Sequence, residues 1–338
     1  MTGLSISVVV ATYQRAQLLP SLLQSLSAQT VPASEFELVL IDDGSTTPAR
    51  AVVEAHPVPY RLQLIEQANT GQAAARHRGV LAASGDIIVI VDDDMRLAPD
   101  FLERHRSWHE QGYRVALGRI ESSSDLERMP LFERFHARNL EKAAAAFARG
   151  KQPRGVNLCS GNVSFRREDY LAVGGFDASL KRSEDRDLGV RLELHGAKFA
   201  FAHDASSEHN SDHASLEVWL RRAFNYGVYD LRIHRKYPQE RVANPWSYLF
   251  VVNPVSRPLL LLAVAAPRVG GLLSNLVWKV SSALDDAGLE KPALSGATLV
   301  YGLEYFRGVR EESGSVGKSA SGLWRCLRSR DTQPSPKH

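Results

Sequence analysis

Three acidic side chains follow the most apolar segment of the chain. Asp92, Asp93 and Asp94 come directly after Ile87–Val91, a run of β-branched residues that predicts a buried parallel strand. Carboxylates at the C-terminal end of such a strand meet at the edge of an open sheet, where ligands bind. Because like charges repel, they need a cation or several donors facing them, and oxygen ligands suit Mg²⁺ or Mn²⁺ that also holds a phosphate. The alternative is an N-cap and acidic first turn on the next helix.

Two further acidic segments stand where predicted elements begin or end. Asp42–Ser45 (DDGS) follows the apolar strand Phe36–Ile41, and this sequence is also typical of a turn begun by an aspartate. Ser183–Asp185 (SED) precedes a predicted helix, where a serine cap and an acidic first turn would explain it equally. Residue types alone therefore leave both segments open between a structural and a chemical role.

The elements that position these residues alternate along the first hundred residues. Strands separated by helix-length crossovers predict right-handed βαβ units and a mostly parallel sheet. The predicted strands are Ile6–Ala11, Phe36–Ile41, Leu62–Ile65, Ile87–Val91, Asn157–Phe165 and Lys198–Ala202. The predicted helices are Leu18–Gln29, Thr47–Ala55, Gln72–Ala83, Leu131–Arg149, Arg167–Val173, Glu184–His195 and Ser215–Tyr237.

Composition limits the class of protein. The 338 residues are 44% hydrophobic and 23% charged, which is ordinary for a globular protein with a sizeable core. The net charge of +3 gives no argument for nucleic acid as a partner. Cys159 and Cys326 have no metal-ligand spacing and fit a reducing cytoplasm. We expect no signal peptide, and the longest apolar run, Pro258–Ala266, is about half of what spans a bilayer.

Four segments together resemble the family 2 glycosyltransferases of the GT-A fold, over about residues 5 to 230. The resemblance implies an α/β fold, a Rossmann-like αβα sandwich with a mostly parallel sheet and, here, a helical C-terminal appendage. The segments are Val8–Arg15 (VVVATYQR), Ile41–Ser45 (IDDGS), Asn69–Met95, and Gly161–Asp177 followed by Ser183–Leu192.

The resemblance implies a nucleotide site made by the first half of the domain. Asp43 would accept the imide N–H of a uracil-type base, while a turn begun by Asp42 can coexist with this contact. Arg76 would reach the nucleotide, unless it lies on a solvated helix face with Arg78. Four further residues complete this set, two at the end of the first strand, through their backbone groups, and two before the third helix: Ala11, Thr12, Asn69 and Gly71.

The resemblance also implies the reacting groups. Asp94 would bind a divalent metal, with Asp92 or Asp93 on the ribose. His209, better placed than His213, would complete the metal shell, the alternative being a lone surface histidine. Asp185 would be the catalytic base with Glu184 assisting the acceptor, and Gly161 and Asn162 would border the donor sugar or acceptor.

The implied function is metal-dependent, inverting hexosyl transfer from a nucleotide-diphosphate sugar, with a UDP-sugar favoured. The acceptor would be a glycan, a lipid-linked sugar or a secondary metabolite. The alternatives are a polyprenyl-phosphate sugar synthase and a catalytically silent nucleotide-sugar-binding subunit. A nucleotidyltransferase would need a Gly-rich basic loop after the first strand, and a dehydrogenase a G-x-G-x-x-G; the chain has neither.

The expected domains are 1–240 for the glycosyltransferase, divided into a nucleotide half (1–120) and an acceptor half (121–240). A helical appendage (241–312) and a disordered tail (313–338) follow, the tail because it is rich in Ser, Gly, Lys and Arg. Basic residues alternate with aromatics over Trp219–Arg241, which suits a solvated helix or an anionic membrane surface. We therefore expect a cytoplasmic protein with peripheral contact at the inner face of the membrane.

Overall fold

The chain divides into two compact units. The computed structural model describes residues 3–123, 125–209, 215–240 and 243–331. The first unit comprises Met1–Leu126 and Ala137–Asp212, and the second comprises Glu127–His136 and His213–His338. This division falls near residue 212, whereas the sequence suggested a catalytic domain that ends at 240.

A mixed, mostly parallel sheet forms the first unit, with eight strands in the described part of the chain. Its strand order is β3-β2-β1-β4-β7-β6-β8-β5. The first four of these pair in parallel, β7 is antiparallel to both β4 and β6, and β5 is antiparallel to β8. The strands are β1 Ile6–Thr12, β2 Phe36–Asp42, β3 Arg61–Glu66, β4 Ile87–Val91, β5 Met95–Leu97, β6 Val115–Ser122, β7 Asn162–Arg166 and β8 Phe199–His209.

Helices cover both faces of this sheet. Successive strand residues point to opposite faces, so that Val8 and Val10 pack in one core and Val9 in the other. The first core contains the leucines of α1 and the second the small residues of α3. The helices of this unit are α1 Leu19–Ser27, α2 Ala49–Ala55, α3 Gln72–Ala82, α4 Phe101–Glu110, the later part of α5 Leu131–Ala148, α6 Arg167–Ala172 and α7 Glu184–Leu194. The predicted αβα sandwich is therefore confirmed.

The structure differs from the sequence prediction where strands are short or irregular. The strand predicted at Asn157–Phe165 is limited to β7, because a 3-10 turn occupies Gly155–Asn157. The strand predicted at Lys198–Ala202 continues to His209. We did not predict β5, β6 or α4: β5 has three residues, and only the first half of β6 is apolar and buried.

Helices form the second unit. Two of them, α8 and α12, approach so closely that a Cβ on Gly227 would lie 1.9 Å from the carbonyl oxygen of Tyr305. This contact explains why α8 belongs to the second unit and not to the first. The helices are α8 Leu216–Lys236, α9 Tyr248–Val251, α10 Arg257–Ala265, α11 Pro267–Asp286, α12 Glu290–Ser313 and α13 Val316–Asp331.

The end of the chain differs from the predicted disordered tail. Helix α13 occupies residues 316–331, and residues 332–338 lie outside the described part of the chain. Within this helix Cys326 is buried in the core of the second unit, so the polar composition conceals one apolar face. Among the described residues, no helix is both long and apolar enough to cross a membrane.

A glycine contact holds α7, the helix that begins with Glu184 and Asp185. An alanine Cβ at position 189 would lie 2.0 Å from the carbonyl oxygen of Gly155. We expect Gly189→Ala to lower the free energy of unfolding by about 1–3 kcal/mol, although alanine favours helices, because backbone must move. Urea unfolding measures this, with Gly3→Ala as control because its nearest contacts are an ordinary 3.5 Å. Equal stability of the two variants would contradict the contact.

Candidate active site

The predicted site residues of the first unit meet at one edge of the sheet. Thr12 pairs with Asp42 where β1 and β2 end side by side. Strand β4 ends at Val91, opposite Asn162 at the start of antiparallel β7. The parallel strands therefore place Asp42, Asp43 and Asp92–Asp94 at the edge of the sheet where β7 begins.

The three consecutive aspartates have different partners. Asp92 is paired with Arg76 at 2.5 Å, and Asp93 accepts a hydrogen bond of 2.7 Å from the Thr12 hydroxyl. Asp94 is paired with Arg15, whose guanidinium also lies 3.3 Å from Asp93. Since strand β5 begins at Met95, the alternative interpretation as a helix cap is wrong. Two arginines thus separate and neutralise charges that would otherwise repel.

Arg76 links two acidic segments that are far apart in sequence. Its guanidinium donates to Asp92 and, at 3.0 Å, to Glu184, and its side chain is only 2% exposed. Arg78 is exposed and bonds to Gln67, so the solvated helix face contains Arg78 and not Arg76. In the structure Arg76 forms this buried bridge, and its contact with a nucleotide stays a prediction.

Burial and charge affect neighbouring aspartates in opposite directions. Burial raises the pKa of Asp93 to about 6, although Arg15 and the Thr12 hydroxyl oppose this increase. Burial also acts to raise the pKa of Asp94, but His209 and Arg15 outweigh it and hold that pKa well below its usual range. Of the two carboxylates, that of Asp94 is therefore more firmly ionised than that of Asp93.

A metal at this edge would be held by Asp94 and His209. Met95 pairs with His209 across β5 and β8, which brings the histidine Nε2 to 3.5 Å from Asp94 Oδ2. Asp94 Oδ1 is buried and accepts no hydrogen bond from the described residues. An oxygen and an imidazole nitrogen fit Mn²⁺ better than Mg²⁺. His213 lies outside the described residues.

The donor set is small for a metal site made by protein alone. No cluster of three or more His, Cys, Asp or Glu suited to a metal occurs in the part of the chain that the structure describes. An ion that binds nucleotide phosphates needs only one or two protein carboxylates, because the phosphates and water fill the other positions. Asp94 and His209 therefore fit such an ion only together with a phosphorylated ligand.

Glu184 and Asp185 begin α7 without the predicted serine cap. Ser183 has a left-handed backbone, with φ 59°, and its side chain makes no capping hydrogen bond. A non-glycine residue in this conformation is strained, which is typical of functional sites. Burial, and then the charge of Glu184, raise the pKa of Asp185 to about 6. A carboxylate with this pKa is suited to accept a proton near neutral pH.

Asp42 and Asp43 organise two loops at the same edge. Asp42 accepts the backbone N–H of Ser45 and of Ala49, so it makes the predicted turn and also caps α2. Asp43 Oδ1 accepts from Gln67 and Thr70, and among the described residues Oδ2 accepts only the N–H of Gly71, at 2.9 Å. Asp43 thus positions the loop before α3 and keeps acceptor capacity on Oδ2.

The remaining predicted residues fall into two groups. Asn69 is exposed, Gly71 has φ 91° with open space around it, and Ala11 is partly exposed, so all three border the edge. A Cβ on Gly161 would come within 3.3 Å of Asp92, so this glycine also lies at the site. Asn162 is different: it is 2% exposed.

The Asn162 side chain is fully engaged inside the sheet. It accepts from the His105 ring and donates to the Ser207 hydroxyl and to the carbonyls of Arg119 and Ala205. The side chain therefore has a structural role in the sheet. The position of Asn162 beside the donor sugar or acceptor stays a prediction. In the sequence this asparagine is a polar residue within a predicted strand. Its hydrogen-bond partners become evident only from the antiparallel pairing of β7.

No role was predicted for Arg15 or for the Thr12 side chain. Thr12 ends β1 and Arg15 follows it, and both contact the aspartates after β4. Two features of the sequence indicate Arg15. Three adjacent carboxylates require a cation, and a basic residue lies three positions after the first strand.

Solved structures with this architecture define its class. PcManGT, a mannosyltransferase from Pyrobaculum calidifontis in complex with GDP-Man and Mn²⁺, is similar over 88% of this chain and 86% of its own, with TM-score 0.59 and 19% identity. TarS 1–349 of S. aureus, in complex with UDP, is similar over 91% and 90%, with TM-score 0.50 and 18% identity. The fold is that of the GT-A glycosyltransferases.

The family follows from the sequence comparison. Residues 7–173 match the model of Glycosyl transferase family 2, which places this segment of the chain in that family. A validoxylamine A glucosyltransferase of Streptomyces hygroscopicus subsp. jinggangensis is 30% identical in an alignment of 219 positions that covers 56% of this chain. The aligned part is 52% of that relative, so the chain spans about half of its length.

The buried Arg76 bridge gives a stability prediction. Arg76→Met would leave Asp92 and Glu184 without their cation, and we expect a loss of about 3–5 kcal/mol in the free energy of unfolding. Arg78→Met on the same helix, exposed in the structure, should change it by less than about 0.5 kcal/mol. Denaturant unfolding compares them, and Arg76→Met/Glu184→Gln should recover part of the loss. Similar effects of the two single variants would exclude a structural bridge at Arg76.

Proposed function

We propose that this protein is a metal-dependent, inverting glycosyltransferase that moves a sugar from a nucleotide-diphosphate donor to an acceptor hydroxyl. The observation that carries the proposal is the shared edge of the sheet. There, Asp94 with an unfilled carboxylate oxygen lies beside His209, while Arg76 links Asp92 to the helix that begins with Glu184 and Asp185. A cation site and a proton acceptor in one place suit sugar transfer.

The donor would bind along the ends of β1 and β2. Asp43 Oδ2 offers the acceptor for a ring N–H, and the backbone of Ala11, Asn69 and Gly71 borders the same edge. This arrangement favours UDP as the nucleotide. GDP and dTDP are also compatible with this proposal, because guanine and thymine each carry a ring N–H group. The mannosyltransferase of similar fold is in complex with GDP-Man.

A bound divalent ion would be held by Asp94 and His209 and would supply charge neutralisation at the donor diphosphate. In the structure Arg15 provides the positive charge next to Asp94. Its side chain is 35% exposed, so it can stay near the diphosphate as a second cationic group. Asp93, held by Thr12, would face the ribose together with Asp92.

Asp185 would take the proton of the acceptor hydroxyl. As that proton moves to the carboxylate, the acceptor oxygen bonds to the anomeric carbon, and the bond from this carbon to the diphosphate oxygen breaks. The electron pair of the broken bond leaves with the nucleoside diphosphate. A single displacement of this kind inverts the anomeric centre. Glu184, fixed by Arg76, would position the acceptor.

The acceptor is proposed as a glycan, a lipid-linked sugar or a secondary metabolite, with contact to a membrane surface through the second unit. Two aromatic side chains of α8, those of Trp219 and Tyr229, are buried and give this contact no support. Support comes from α11, where Leu272 and Leu276 are 71% and 60% exposed. Membrane contact by the basic aromatic segment stays a prediction, and its last residue, Arg241, lies outside the described residues.

The raised pKa of Asp185 gives a pH dependence. The base must be ionised, so kcat/KM should fall as the pH drops below about 6, approaching tenfold per pH unit. An unperturbed aspartate would place the fall near pH 4. Asp185→Asn should lower kcat by at least about 100-fold, with nucleotide affinity unchanged. The measurement is transfer rate against pH, with Asp100→Asn as control.

Activity that survives in Asp185→Asn would favour the polyprenyl-phosphate alternative, since a phosphate acceptor needs no strong base. Nucleotide binding without turnover for any acceptor would favour the catalytically silent subunit. A pH profile that is flat between 5 and 7 would contradict Asp185 as the proton acceptor.

Metal-dependent nucleotide binding is the most direct test of the donor site. We expect calorimetric titration to show one of UDP, GDP and dTDP binding with Mn²⁺ and at least about tenfold more weakly with EDTA. Asp94→Ala should remove the metal effect, and His209→Ala should weaken it. The control is Asp100→Ala, whose carboxylate bonds only to Arg104 in the described structure. Absence of binding for every nucleotide would contradict the proposed function.

A further inference from the structure

A cavity of about 560 Å³ lies within the second unit, in the range typical of small-molecule sites. Its lining includes His234 and Arg235 near the end of α8, and Lys318 and Arg325 on α13. Leu231 and Trp246, both buried, add apolar surface. No Asp or Glu occurs among the lining residues within the described ranges.

The positive charge of this cavity is only partly compensated. Arg235 is paired with Glu312 at 2.7 Å, but the same carboxylate also binds Arg232 at 2.8 Å. Lys318 and Arg325 make no ion pair among the described residues. Cations that share a cavity repel one another, so an excess of this kind is stable mainly when an anion or water fills the space.

A buried polar atom without a hydrogen-bond partner in the described structure also indicates that an anion or water fills this cavity. The Nδ1 atom of His234 is buried and has no hydrogen-bond partner in the described structure. Burial, followed by the charges of Arg325 and Arg235, lowers the pKa of His234, which places all three groups in one electrostatic environment. A ligand with acceptor oxygens would satisfy the imidazole and the two free cations together.

We propose that this cavity, lined by residues of the second unit, is a binding site for a phosphate or diphosphate group. Phosphate oxygens carry the negative charge that would pair with Lys318 and Arg325, and they can accept a hydrogen bond from the His234 ring. The apolar side chains of Leu231 and Trp246 suit an organic group attached to that phosphate. The phosphate belongs either to a soluble metabolite or to a lipid headgroup.

The test uses the full chain and two probes, with EDTA present to suppress metal-dependent binding at the first unit. Pyrophosphate is titrated by calorimetry, and vesicles of phosphatidylcholine, alone or mixed with phosphatidic acid, are tested by co-sedimentation. We expect Lys318→Gln/Arg325→Gln to weaken binding of the effective probe by about tenfold or more, because two charged donors are lost. Arg328→Gln, on the same helix and stacked on Trp324 at 3.9 Å, is the matched control.

Each outcome decides the proposal. Pyrophosphate binding that is lost only in the double variant supports a soluble ligand. Binding to phosphatidic acid vesicles alone, with the same dependence, supports a lipid headgroup. Failure of both probes, equal loss in the control, or binding that survives in the double variant would overturn the site. Thermal unfolding of all variants verifies that these exposed substitutions leave the fold intact.

Discussion

The candidate site depends on one buried guanidinium. Arg76 is 2% exposed and joins Asp92, at the end of β4, to Glu184, at the start of α7. Removing a guanidinium from water is costly, and two carboxylates in hydrogen-bonding contact offset that cost. Burial acts against the charged form of Arg76, yet the nearby acids raise its pKa. The bridge therefore fixes the distance between the proposed cation side and the proposed base side of the reaction.

The backbone around this bridge is specialised in the same way. Gln14 and Ser183 are the non-glycine residues with positive φ in the described chain, at 58° and 59°. Each lies beside a charged element of the site: Gln14 precedes Arg15, and Ser183 precedes Glu184. Gln14 is held by hydrogen bonds with Ser45 and Thr46. Strain of this kind persists only where surrounding contacts determine the conformation.

Sequence predicted the parallel half of the fold well, because β1, β2 and β4 are long, apolar and bounded by polar residues. It predicted the acids at the sheet edge for the same reason. It could not predict that Arg76 is buried, since an arginine in an Ala-rich helix appears solvated until the partners across 16 and 108 positions are known. Asn162 illustrates the same limit: its four hydrogen bonds come from strands and a helix that have weak sequence patterns.

The charge balance of the edge supports the proposed divalent ion. The cations at this edge include the guanidiniums of Arg15, Arg76 and Arg186. Among the described residues, seven carboxylates lie there, on Asp42, Asp43, Asp92, Asp93, Asp94, Glu184 and Asp185. A nucleotide-diphosphate donor is itself anionic, and bringing it to an acidic edge would cost Coulomb energy at short distance. A divalent ion held by Asp94 and His209 would reduce this repulsion. Under the proposed function, the acids at this edge therefore favour binding of the donor together with a metal ion.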